Sequence, residues 1–113
     1  MWMRMYAVIA GLVLLAACGP PLAKRPLLTG CEAAAQAVAP ELIDAALDYR
    51  AVVGREAILR FLLPQSGGEP RLVNVKCKVA LDGDLKRIMI DARRARGHDL
   101  DKAKAAFDQA LGR

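Results

Sequence analysis

The chain is poor in the side chains from which most active sites are built, with one histidine, His98, and one serine, Ser66, among 113 residues. A nucleophile needs a base in reach, and neither residue stands in a context that supplies one. Ser66 lies in the glycine-flanked loop Gln65-Ser66-Gly67-Gly68-Glu69-Pro70, His98 precedes the last apolar period, and the nucleophile-elbow pattern is missing. The three cysteines include no C-x-x-C pair, which with a single histidine argues against a zinc site or a dithiol redox motif. Gly67-Gly68 is an ordinary loop pair rather than a phosphate cradle. Asp82 and Asp84 flank Gly83 and read as turn residues rather than as paired catalytic carboxylates. No enzyme activity, metal site or soluble cofactor is expected from such a chain. Aromatic residues make up only 4%, and none is interleaved with the basic residues from Lys76 to Arg96, so the stacking platform for single-stranded nucleic acid is missing. The uncharged run Ala7–Ala17 covers about 16 Å as a helix, half of a bilayer core roughly 30 Å thick.

That short run is nevertheless informative. Arg4 followed by Ala7–Ala17 has the basic-then-apolar layout of a secretory signal. At its end, Leu15-Ala16-Ala17-Cys18 resembles the lipobox of bacterial lipoproteins, in which an aliphatic residue and two small ones precede an obligatory cysteine. Small side chains let an extended backbone enter a protease cleft, and the thiol of Cys18 is the nucleophile that accepts a diacylglyceryl group. The resemblance covers residues 1–18 and implies cleavage between Ala17 and Cys18, a thioether lipid on Cys18 and acylation of the new amine. Several acyl chains on one residue hold a protein on a membrane stably, where one chain holds it only marginally. Gly19, rather than Asp, follows the cysteine, which by the family's sorting habit implies the outer membrane facing the periplasm.

The expected organisation is a signal peptide over 1–17, a lipidated cysteine and proline-rich tether over 18–30, and one small domain over 31–113. The tether has three prolines and two glycines between Gly19 and Gly30 and would reach about 37 Å if polyproline-like. Cys31 and Cys77 are the thiols left once Cys18 is lipidated, and an even pair in an oxidising compartment reads as a disulfide. The balance of 17 basic against 12 acidic residues is concentrated late in the chain, where Lys76, Lys78, Lys86 and Arg87 are candidate contacts to an anionic surface.

Alanine-rich Cys31–Ala39 predicts a helix capped by Thr29 or Gly30. Residues 41–53 carry both periods, and are read as helix first and strand from about Leu47. Ile58–Leu63 is a mostly apolar strand. Val73, Val75, Cys77, Val79 and Leu81 alternate as one buried face opposite Lys76 and Lys78. Asp82-Gly83-Asp84 predicts a hairpin into a returning strand, Leu85–Ala92, with Ile88 and Ile90 on the core face. Leu100, Ala103, Phe107, Ala110 and Leu111 fall at helical spacing, with Asp99 as cap and Gly112 as stop. The fold expected is α+β: a helix, a three- or four-stranded antiparallel meander and a closing amphipathic helix. The stretch Val75–Gly83, Ile88-Met89-Ile90 and Leu100-Asp101 through Phe107 resembles the hairpin-then-helix segment of TonB-type C-terminal domains, which implies a domain shape and not energy transduction. The function expected is a lipid-anchored, non-enzymatic envelope protein whose domain docks an envelope partner or supports an assembly. The alternative is a basic-face binder of anionic lipid, lipopolysaccharide or nucleic acid, of which nucleic acid is the least supported.

Overall fold

The computed structural model describes residues 23–113, so Ala17 and Cys18 lie outside the described residues. Helix α1 spans Lys24–Val38 and a 3-10 turn follows over Pro40–Asp44. Strands β1 (Ala46–Val53), β2 (Glu56–Leu63), β3 (Arg71–Val79), β4 (Leu85–Ile90) and the two-residue β5 (Arg93–Arg94) come next, and helix α2 (His98–Ala110) closes the order. The strands form one antiparallel meander in the order β1-β2-β3-β4-β5. This is the expected α+β arrangement, with β5 as a short addition.

The helix begins at Lys24, seven residues before the position read from sequence, so Lys24–Gly30 is not tether. The prolines and glycines of the segment concealed an apolar face in which Leu27, Cys31, Ala34 and Ala35 recur at helical spacing and are all buried. Pro26 sits in the first turn, where no intrahelical N–H is required of it. Ala23, without a side-chain hydrogen bond, takes the cap position assigned to Thr29 or Gly30. The 3-10 turn and the strand from Ala46 resolve the mixed pattern of residues 41–53 close to the expected division.

One face of the sheet is roofed by the helices. Ala57, Leu59 and Phe61 from β2, Val73, Val75, Cys77 and Val79 from β3, and Leu85 and Ile88 from β4 meet Leu27, Cys31, Ala34 and Ala35 of α1 and Ala103 and Phe107 of α2. Leu42 of the 3-10 turn completes a core of sixteen residues, all apolar, and no buried side-chain nitrogen or oxygen lacks a partner among the described residues. Leu81 departs from the expected face: it sits in the hairpin turn and is 79% exposed. There Gly83 N–H donates to Ala80 O, Ala80 N–H donates to Asp84 O, and Asp84 N–H donates to Asp82 Oδ1, so the chain leaves the strand before Leu81 can face inward. The returning strand stops at Ile90, which is half-buried. In α2 the cap is Gly97 and not Asp99, which occupies the first turn with Asp101, where carboxylates favour the positive end of the helix. Ala110 is exposed.

Gly112 ends α2 as expected. At a φ of 75° it donates its N–H to Gln109 O while Arg113 N–H donates to Asp108 O, the paired bonds of a Schellman motif. The Arg113 guanidinium then donates to Asp108 Oδ1 at 2.9 Å and to Gly83 O at 3.1 Å, which ties the helix end to the β3–β4 turn.

Gly30 supports the helix–helix contact. A Cβ at this position would stand 2.5 Å from the ring of Phe107, which is itself fully buried and has nowhere to move. The glycine costs α1 about 1 kcal/mol of intrinsic helix propensity. Overpacking a filled core costs about 1–3 kcal/mol and outweighs that gain. Gly30→Ala is therefore expected to lower stability by about 1 kcal/mol, and by no more than about 2 kcal/mol, in denaturant unfolding, and adding Phe107→Leu should recover part of the loss.

Candidate interaction surface

The second face of the sheet has no covering element among the described residues. Register places its side chains in rows: Val53, Glu56, Lys78 and Arg87; then Ala51, Ile58, Lys76 and Met89; then Tyr49, Arg60 and Asn74; then Leu62 and Leu72. β2 explains why this face is apolar in part. Its sequence, Glu-Ala-Ile-Leu-Arg-Phe-Leu-Leu, carries hydrophobic residues at both parities, so burying Ala57, Leu59 and Phe61 turns Ile58 and Leu62 outward. Around them Tyr49 is 50%, Val53 66% and Leu72 50% exposed. Isolated exposed hydrophobics are common on any protein, but a run of them across three neighbouring strands makes this face the candidate interaction surface.

The charges on this face divide into paired and free. Arg60 donates to Asp48 through Nε at 2.9 Å and lies with its guanidinium carbon 5.6 Å from the Tyr49 ring centre. Arg87 lies 3.6 Å from Glu56; at the sheet's edge Arg71, which shares the parity of Val73 and Val75 on the helix-covered side, lies 2.8 Å from Asp91. These side chains are 30–56% exposed, so they shape the surface and add little stability. Lys76 and Lys78 have no ion pair among the described residues, and the face is left basic. Lys76 borders a shallow depression of about 590 Å³ with Ile58, Asn74, Met89, Asp91 and Ala92. Lys78 and Lys86 meet Arg55 and Asp82 in a second of about 410 Å³ at the hairpin end. The four basic residues singled out in the sequence are thus split: Lys76 stands centrally, Lys78 and Lys86 share the hairpin groove, and Arg87 is in an ion pair.

Ser66 and His98 are both exposed and no hydrogen bond joins them. Cys31 and Cys77 are joined as a disulfide with their Cα atoms 5.8 Å apart. Among the described residues no group of three or more His, Cys, Asp or Glu side chains could hold a metal ion, and no helix is long and apolar enough to cross a membrane.

Asp91 was not singled out by any sequence pattern, yet it fixes one corner of the surface. Its N–H donates to Asn74 O at 2.8 Å, its Oδ1 accepts from Asn74 N–H at 3.0 Å and its Oδ2 accepts from Arg71 at 2.8 Å. Asp91 and Ala92 form the tight turn between β4 and β5 with φ of 50° and 65°, a place where sequences usually supply Asn-Gly. The clue in the sequence would have been an Asp followed by a small residue between Ile90 and Arg93, a weak signal without the glycine.

Comparison of the chain with family models, with curated proteins and with solved structures gave no match.

The left-handed backbone at Ala92 generates a stability prediction. Alanine in that region costs about 1–2 kcal/mol, against a glycine's greater entropy loss of about 0.4–1 kcal/mol. Ala92→Gly is expected to raise the unfolding free energy by roughly 0.5–1 kcal/mol in a denaturant titration, by the same balance.

Proposed function

We propose that the protein is a lipid-anchored envelope lipoprotein whose small domain docks a protein partner through the uncovered face of its sheet. The observation that carries the docking reading is that face itself, where Tyr49, Val53 and Leu72 stand exposed beside half-buried Ile58, Leu62 and Met89. The address rests on Leu15-Ala16-Ala17-Cys18 and is supported by the buried Cys31–Cys77 cross-link, which suits an oxidising compartment. Attachment through Cys18 would leave the sheet face free for a partner in the periplasm, with the outer membrane as the favoured location. The role needs no catalytic group and no cofactor beyond the covalent lipid. The likeness of residues 73–110 to TonB-type domains contributes a shape to this reading and no partner.

The unpaired Lys76 and Lys78 on the same face favour the second reading, a binder of anionic lipid or lipopolysaccharide. Salt separates the two, since a polyanion contact weakens steeply with ionic strength and an apolar one does not.

A photo-crosslinking residue at position 72 tests docking in intact cells, with position 104 on the exposed side of α2 as control. A single reproducible adduct from position 72, lost on Met89→Asp and persisting at raised salt, is expected. Equal adducts from both positions would contradict docking through the sheet. Intact mass of the same membrane-purified protein should begin at Cys18 and carry acyl groups, whereas a product retaining Met1 would contradict the anchor.

A further inference from the structure

Beside the start of α1, on the helix-covered side of the sheet, lies a groove of about 290 Å³ that the proposed docking face does not use. Lys24, Arg25 and Arg50 stand at it, all exposed, and Glu32 is the one carboxylate in its lining. None of these four charged groups is in an ion pair among the described residues. The floor is apolar, with Leu28 and Leu47 half-buried and Leu59 buried beneath the cations. A groove with two net positive charges over a hydrophobic floor is matched to a phosphate attached to an apolar body.

Position makes that match specific. Only four residues separate Cys18 from Ala23, the helix cap, so the five steps of chain from the sulfur-bearing residue to the start of α1 extend at most about 18 Å. The longer stand-off of a tether running to Gly30 does not exist. A short connection gives the groove a high effective concentration of whatever the anchor is embedded in. Each Lys or Arg near an anionic bilayer favours contact by roughly fivefold, and three together by about a hundredfold.

We propose that this groove is the membrane-resting face of the domain and that Lys24, Arg25 and Arg50 engage the phosphate of anionic phospholipid headgroups in the leaflet that holds the Cys18 lipid. The inference rests on the lipoprotein reading. It adds an orientation to it: the groove lies on the helix side and the docking face on the other, so contact with the bilayer leaves the sheet open.

Hydrogen exchange on the full lipidated protein in vesicles tests this, comparing phosphatidylcholine alone with phosphatidylcholine containing about a third phosphatidylglycerol, after intact mass has established the acyl groups. In the anionic vesicles, amides of residues 24–32 and 47–51 are expected to exchange at least threefold more slowly. The difference should vanish in 0.5 M salt and in the variant K24Q/R25Q/R50Q, while Val75–Val79 keeps its protection and so reports that the variant is folded. Equal exchange in both vesicle types, with acyl groups present, overturns the groove assignment and leaves the anchor standing. Protection that appears instead around Lys76 and Lys78 also overturns it, and moves the lipid contact to the sheet face. A mass without acyl groups overturns the anchor and this inference together.

Discussion

The bond between Cys31 and Cys77 is the constraint on which the rest of the domain depends. It joins the middle of α1 to the centre of β3, across 46 residues of chain, at a point where both side chains are fully buried. Closing a loop of that length in the unfolded chain is worth roughly 4 kcal/mol by chain entropy. A domain of this size commonly has about 5–15 kcal/mol in total, so one covalent link supplies a large share. The need is visible in the core. Much of α1's buried face is Gly30, Ala34 and Ala35, which let the helix approach closely but bring little apolar area of their own.

Close approach in turn determines how α2 sits. Phe107 fills the space that Gly30 leaves, and Arg113 reaches from the end of the same helix to the β3–β4 turn. Both helices are therefore held to one side of the sheet, and the apolar residues of β2 that cannot share that side are left facing outward. The apolar character of the uncovered face is a consequence of strand composition: with Leu59 and Phe61 buried, Ile58 and Leu62 have no other place to go. The early start of α1 has a second consequence. It brings Lys24 and Arg25 onto a folded edge beside Arg50, and turns what would have been a loose basic tether into a shaped groove.

Much of the fold was legible because its periods were clean. Val73, Val75, Cys77 and Val79 alternate without interruption, and the last helix repeats Ala103 and Phe107 on one stripe, so β3, β4 and α2 stand close to where the pattern puts them. The start of α1 was hidden because Pro26 and Gly30 are breakers on average, and only tertiary contact reveals that the first falls in a tolerant turn and the second against an aromatic ring. Leu81 misled for the opposite reason: it continues an alternation that the hairpin interrupts. The basic residues of β3 were readable as a wet face, yet their division into paired and free needed the register, since Glu56 meets Arg87 only across two strand boundaries. The groove at α1 was invisible in sequence because Arg50 is distant along the chain from Lys24 and Arg25 and joins them only through β1.

The most direct test of this account is thermal unfolding of the domain with and without a reductant, or in the Cys31→Ala/Cys77→Ala pair. Losing the cross-link is expected to lower the midpoint by 15 °C or more, from about 4–8 °C per kcal/mol for a domain of this size. An unchanged midpoint in the reduced protein would show that the helix and sheet hold each other without the bond, and would contradict the account at its base.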